Sequence, residues 1–447
     1  MPLTVPVFRA GEERTSRDVR TLHGVDGVPL AEVHEAPALV IRTSVRAMHD
    51  APAVPAAERL VLLAEAGRLF ASATLGGLTP EAYCRAQALA SGVPVSVARQ
   101  ALTRVGEDCG RLGEVVARQA PSGAGRTARW ARRGSVLGVV APSNHPATHG
   151  AWLQALAMGY RVAVRPGTRD PFTPLRLAAA LTGAGLGAGW ISVLPGPHAA
   201  ADALVAAADL SLVYGSEETV ARMRGEDRVL VRGPGRSKIL LDQEPDEATL
   251  DHIVTEIAGD GGVRCTNTTA VFCSGDHRAL AEALAQRLAL LPARPVTDDG
   301  AVLPVRQRHE AEGLRAALDR NAQGAQDLVG RLHGDGPLSP VGGDAVALRP
   351  AVMCVDSSEH PGLGTELPFP CVWVAPWRRS EGIGPLDGSL ALTLLTEDAS
   401  LVAEALDAPG VRTVLHGRVP GWWKDPFLPH DGYLGQFLRE ARGFAAV

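Results

Sequence analysis

The sequence predicts an α/β protein built around doubly wound, mainly parallel sheets. Two observations carry this expectation. Between residues 135 and 245 short apolar runs alternate with helical stretches at close spacing, the pattern of parallel strands joined by right-handed crossovers. A chain of 447 residues is also too long for one compact core, so two or three domains are expected.

Taken in order, residues 1–45 read as short strands and turns. From Pro55 to Leu75 apolar residues recur at helical spacing (Leu60, Leu62, Leu63, Ala66, Leu69 and Phe70), and amphipathic stretches follow at 80–90 and 94–118. The stretch Pro121 to Arg126, rich in Gly and Ser, breaks the pattern. Ser135 to Ala141 is nearly all apolar, as a strand buried on both faces must be. Further strands are predicted at 160–164, 190–194 and 210–214, with helices at 152–159, 174–181 and 198–208 between them. A second α/β stretch begins near Leu250, with helices at 250–258 and 278–291 and a strand at 270–273. Residues 294–345 read as loop-rich, and strand-like texture returns at 347–377 and 389–396.

Composition narrows the function. With 46% hydrophobic and 21% charged residues the chain reads as an ordinary globular protein. A net charge of −5 offers neither nucleic acid nor an anionic membrane a partner. No apolar run is long enough to span a bilayer, and Met1 to Asp18 shows no basic region followed by an apolar core, so a cytoplasmic location is expected. The six cysteines form no CxxC pair, which suits neither a disulfide framework nor a zinc site, and no metal is expected. Lysine occurs only at Lys238 and Lys424, so an arginine where lysine is usual carries little meaning.

Four segments can carry chemistry. In Gly261 to Thr268, Cys265 follows a flexible glycine pair and precedes a hydroxyl- and amide-rich stretch. A nucleophilic thiol needs access and a positive neighbour to favour its thiolate, and Arg264 can supply the charge, although a structural cysteine looks the same in isolation. Pro142 to Pro146 follows the first buried strand, which places the Asn144 amide where it can donate to a developing oxyanion; a proline-bounded turn is the plainer reading. His145 invites a Cys–His dyad, but any loop histidine would. Gly215 to Glu218 opens a helix with Ser216 as N-cap, a place for a pyrophosphate, without the usual GxGxxG. Arg165 and Arg169 follow the second strand of the sheet and suit either a phosphate or a solvated loop. Trp152, Trp373, Trp422 and Trp423 fit core packing better than a pocket wall.

In order and spacing these segments resemble the aldehyde dehydrogenase superfamily along essentially the whole chain. The family's Pro-x-Asn-x-Pro segment is matched by Pro142 to Pro146, its Lys-Pro by Arg165-Pro166, and its Gly-Ser before the cofactor helix by Gly215-Ser216. Its Gly-Gly-Lys-Ser is matched loosely by Pro234 to Ser237, its Gly-x-x-Cys by Gly262 to Cys265, and its Glu-x-x-x-Pro by Glu366 to Pro370. The resemblance implies a Rossmann-like cofactor domain (1–120 and 135–245), a doubly wound catalytic domain (246–419) and a small β oligomerisation element (121–134 and 420–447), in a homodimer or homotetramer. It implies catalysis by Cys265 through a thioester, with Asn144 steadying the oxyanion. It also implies a nicotinamide cofactor held by Pro142, Ser143, Arg165, Gly167, Thr168, Arg169, Gly196, Gly215, Ser216, Arg232, Gly233 and Glu366.

Two departures shape the expected activity. Aldehyde-oxidising members carry a glutamate just before Gly-Gly-Lys-Ser as general base for hydrolysis; that position here is Arg232, which cannot act as a base at neutral pH. The expectation is therefore reduction of an acyl thioester, bound to CoA or a carrier-protein thiol, to an aldehyde. The alternatives are oxidation of an aldehyde to an acid and a non-catalytic cofactor-binding homologue. Where NAD-preferring members carry a ribose-binding glutamate, this chain has Thr168 beside Arg169, which suits a 2′-phosphate and predicts NADP over NAD.

Overall fold

The computed structural model describes residues 2–119, 128–223, 225–334, 336–421 and 425–445. The break at Pro121 to Arg126 and the pair Trp422 and Trp423 lie outside them.

Two seven-stranded sheets organise the chain. In the first, the five consecutive strands Val136–Val140, Arg161–Arg165, Ile191–Val193, Leu210–Tyr214 and Val229–Arg232 are all parallel. The four expected strands are present, and the run through Arg232 adds a fifth at the edge. The chain moves from Val136–Val140 outward in one direction, then returns to place Leu210–Tyr214 on its other side. That reversal opens a crevice beyond the carboxyl ends of these two strands, where ligands of such sheets bind. It is bounded by Pro142 to His145 on one side and by Tyr214 and Gly215 on the other. The far edge was not foreseen: Val7–Arg9 pairs antiparallel with Ile191–Val193 through Phe8 and Val193, and Glu12–Arg14 caps it.

The second sheet has the strand order Gln326–Asp327, Ala351–Cys354, Cys371–Pro376, Thr268–Cys273, Ser237–Leu241, Ala391–Leu395 and Thr413–His416, parallel except at Gln326–Asp327. Its central strands are buried on both faces, which explains their unbroken apolar texture. The stretch expected to be loop-rich is more ordered than that. It holds the helix Arg308–Asn321 and the antiparallel strands Val305–Gln307, Leu338–Gly342 and Ala345–Leu348.

Helices match the apolar periodicity: Ala56–Ser72, Pro80–Ser91 and Val95–Arg118 pack under the first sheet, burying Leu63, Phe70, Tyr83 and Leu102 with the strand residues Leu137 and Val162. Thr79 caps the second of these helices by accepting from the Ala82 amide, and Gly92 ends it in the left-handed conformation. Trp152 and Trp373 are core residues, as expected; the Trp152 indole donates to His149. Ala128–Arg132 pairs antiparallel with Arg439–Gly443, within the two stretches 121–134 and 420–447. Among the described residues no helix is long and apolar enough to cross a membrane.

Candidate active site

Cys265 lies in a turn that the chain goes to some length to shape. Asp260, Gly261 and Gly262 all have left-handed backbone, with φ of 54°, 77° and 69°. Glycine is required at 262 for a second reason, since a Cβ there would stand 2.5 Å from the Pro370 nitrogen. Asn267 rivets the turn: its carbonyl oxygen accepts from the Arg264 amide at 2.7 Å, and its NH2 donates to the carbonyls of Glu256 and Gly259. The Ser237 hydroxyl donates to the Cys265 carbonyl at 3.0 Å. The result is one cysteine in six that is not buried. Burial pushes the thiols of Cys84, Cys109 and Cys371 up to about 12, which leaves them inert near neutrality.

Cys265 stands in the wall shared by two cavities. One, of about 600 Å³, runs past Pro142, Gly215, Gly233 and Glu366; the other, of about 230 Å³, runs between the helix Val95–Arg118 and the segment 425–434. Asn144, Arg232 and His430 also face both. The Asn144 NH2 donates to the Val263 carbonyl at 2.9 Å, which ties the end of the first sheet's central strand to the cysteine turn.

Charge near the sulfur differs from the sequence expectation. Arg264 is buried and turned toward Asp260 at 3.5 Å, and Asp260 in turn meets His145 at 3.2 Å. Asp260 thus takes up charge from both Arg264 and His145. Burial works against the Asp260 anion, but the hydrogen bond and charge of His145 and the charges of Arg264 and Arg104 outweigh it and hold the carboxyl below its ordinary value. Among the described residues, Arg232 lines both cavities with Cys265; it donates to the Tyr214 hydroxyl at 3.0 Å, and its Nε is enclosed without a hydrogen-bond partner. Burial pulls its pKa down, yet the negative potentials of Tyr214, Asp431 and Cys265 raise it overall. The sequence reading placed Arg232 at the general-base position and with the cofactor, and did not foresee it as a charge near the sulfur. It also missed His430, whose Nε2 lies 3.3 Å from the Cys265 sulfur. His430 sits 165 positions away in sequence and carries no local motif.

Of the expected cofactor residues, Pro142, Gly215, Arg232, Gly233 and Glu366 line the larger cavity. The others form adjoining loops. The Arg169 amide donates to the Ser143 hydroxyl, Gly167 packs so closely on Pro142 that a Cβ would overlap it, and Arg165 donates to the Gly196 carbonyl at 3.0 Å. The Nη2 of Arg165 is buried with no hydrogen-bond partner, so a donor waits at the carboxyl end of its strand for an acceptor such as a ribose or phosphate oxygen. That fits a dinucleotide. Two details fit less simply. The Arg169 guanidinium is already in an ion pair with Glu310, and the Thr168 carbonyl accepts from Arg20. The Glu366 carboxylate accepts from the Arg236 amide at 2.7 Å and so braces the loop 233–236; burial raises its pKa. Ser216 precedes a helix of only seven residues, Glu217–Met223, and its hydroxyl meets Thr219 at 3.5 Å.

A crevice at the strand-order reversal of a parallel sheet, facing a half-buried cysteine in the turn that leads into a strand of the second sheet, is the arrangement of a dehydrogenase. The chain belongs to the aldehyde dehydrogenase family, whose model matches residues 12–380. The α-ketoglutaric semialdehyde dehydrogenase of Bacillus subtilis (strain 168) is 25% identical over 44% of this chain and 43% of its own length. The betaine aldehyde dehydrogenase 2 of Rhizobium meliloti (strain 1021) is 27% identical over 69% of this chain and 66% of its own length. The chain thus spans less than half of the first of these relatives. A solved indole-3-acetaldehyde dehydrogenase complexed with NAD+ has the same fold, with a TM-score of 0.85 at 18% identity over 99% of this chain and 97% of its own.

Proposed function

We propose that this protein is an NAD(P)-dependent oxidoreductase that works through a covalent thioester on Cys265 and reduces an acyl thioester to an aldehyde. One observation carries the reading. The accessible sulfur stands at the junction of two cavities, and the nearest side chain from the position of the family's hydrolytic glutamate is the guanidinium of Arg232. The thiolate attacks the carbonyl carbon delivered through the smaller cavity. The Asn144 amide keeps one N–H for the oxygen that becomes negative, its other being bound to Val263. Arg232 stabilises the thiolate before attack and cannot activate water afterwards. A thiol leaving group therefore departs, or returns, more readily than water enters.

A bound nicotinamide supplies or accepts the hydride. Its place is the larger cavity, with Pro142, Gly215, Gly233 and Glu366 at the reacting end and Arg165 toward the ribose. NADP(H) is the preferred form if Arg169 exchanges Glu310 for a 2′-phosphate. The sheet through Arg232 is the proposed cofactor domain and the sheet from Ser237 onward the catalytic domain, which moves the boundary expected between 245 and 246 back before Ser237, because the strand Ser237–Leu241 pairs within the second sheet; the pair Ala128–Arg132 with Arg439–Gly443 is the proposed oligomerisation edge of a homodimer or homotetramer. A second reading, oxidation of an aldehyde to an acid, is favoured by the names of the relatives, which are aldehyde and semialdehyde dehydrogenases.

The test offers the enzyme an acyl-CoA with NADPH and, separately, the matching aldehyde with NADP+ and no thiol. Fast reduction with slow oxidation is expected. Fast oxidation in the absence of thiol overturns the direction, and an unchanged rate in Cys265→Ala overturns the mechanism.

A further inference from the structure

We propose that His430 is a catalytic residue of this enzyme, the proton acceptor of Cys265 and the proton donor to the departing thiol. The inference rests on the thioester reading above and adds the group that moves its protons. Its Nε2 is 3.3 Å from the sulfur, within reach for a hydrogen bond in which either partner holds the proton. The contact is built rather than incidental. His430 lies in an irregular segment, 425–432, pinned at several points. The Phe427 ring lies against the guanidinium groups of Arg118 and Arg111 at 3.8 and 5.0 Å. The Tyr433 hydroxyl donates to the Phe427 carbonyl at 3.0 Å. The Thr413 hydroxyl donates to the carbonyls of Pro429 and His430 at 3.3 and 3.4 Å, and Asp431 pairs with Arg412 at 3.5 Å. The backbone on both sides of the histidine is therefore held to the start of the strand Thr413–His416.

The surroundings suit an imidazole that cycles its proton. Arg232 and Tyr214 approach from the first sheet, Asp431 and Arg412 from the cofactor side, and Asp260 and Arg264 from the side of the smaller cavity. Arg264 pairs with Asp260, and Arg232 lines both cavities beside Cys265. His430 takes the thiol proton, giving thiolate and imidazolium. The thiolate carbon–sulfur bond forms as the bond to the CoA or carrier sulfur breaks, and the imidazolium returns its proton to that leaving thiolate. Atoms and charge balance without a further reactant. This supplies a proton carrier where the family's glutamate is replaced by arginine, and it does so from beyond residues 12–380, the part matched by the family model.

The test is the pH dependence of alkylation of Cys265 by iodoacetamide in the full chain, with Cys265→Ala as blank and thermal unfolding as a check on folding. The parent is expected to react at neutral pH faster than an ordinary thiol, with a transition in the imidazole range. In His430→Gln the rate at neutral pH should fall at least tenfold and the imidazole transition should vanish, while the thermal unfolding profile stays that of a folded chain. A parent profile with one ordinary thiol transition near pH ~8.5 overturns the proposal whatever the variant does, as does a His430→Gln profile equal to the parent's. His430→Asn serves as the second variant. Mass spectrometry after mixing with acyl-CoA separates the two levels: no acyl adduct in a parent that alkylates fast refutes the thioester reading and leaves the His430–Cys265 coupling standing.

Discussion

Gly235→Ala is the sharpest probe of how the nucleophile is placed. A Cβ at 235 would lie 2.7 Å from the carbonyl carbon of Cys265 and 3.1 Å from its Cα, closer still to the carbonyl oxygen. Non-bonded carbons prefer roughly 3.5–4.0 Å, so the Cys265 backbone must retreat by about 1 Å. No flexible side chain can absorb the clash, because the atoms met are all backbone. A displacement of about 1 Å at the reacting centre costs on the order of 10²-fold in rate, while overpacking costs about 1–3 kcal/mol of stability. Turnover, followed by nicotinamide absorbance with acyl-CoA, should therefore fall roughly 10²-fold in a chain that still unfolds cooperatively. Gly110→Ala is the control, since nothing lies within 4 Å of its Cβ and it sits in the helix Val95–Arg118. A Gly235→Ala enzyme that keeps about a third or more of the parent rate, where a 1 Å shift predicts far less, would refute the placement of Cys265 against this loop.

Three further outcomes are expected. Glu310→Gln releases Arg169; a partly exposed pair is worth about 0.2–1 kcal/mol, so NADPH affinity by fluorescence titration should rise up to about fivefold with NADH unchanged, and Arg169→Ala should weaken NADPH alone. Asp260→Ala leaves the buried Arg264 without its anion in a backbone conformation alanine resists, and denaturant unfolding should show a loss of about 3–5 kcal/mol. Asp170 is fully buried, and burial pushes its carboxyl up to about 6 against the hydrogen bonds from Thr173. A raised folded value means the fold favours the protonated acid, so this contribution is complete below the unfolded value near pH ~4 and is lost as pH rises through about 6. Stability of the parent should decline across that window by a few kcal/mol at most, and Asp170→Asn should flatten it; an identical slope in both chains would sink the assignment.

Some of this protein was legible in its residues because the physics is local. Strands buried on both faces must be apolar throughout, and helices on a sheet must repeat at 3.6 residues, so Val136–Val140 and Val95–Arg118 announced themselves. The cysteine turn was legible too: Gly261 and Gly262 precede Cys265 in left-handed backbone that glycine accepts freely, and at Gly262 only glycine also leaves room for Pro370. What the residues near a position could not state was which distant partner it meets. Arg264, adjacent to Cys265 in sequence, pairs with Asp260, whereas His430 reaches the sulfur from another element and Arg232 lines the same cavities from the first sheet. Arg169 finds Glu310 across 141 positions, and the strand Val7–Arg9 finds Ile191–Val193 from the far end of the sequence. A charge or an edge has no periodicity to read. Its partner is chosen by which surfaces the burial of the apolar faces brings together, and that is decided only when the sheets close on one another.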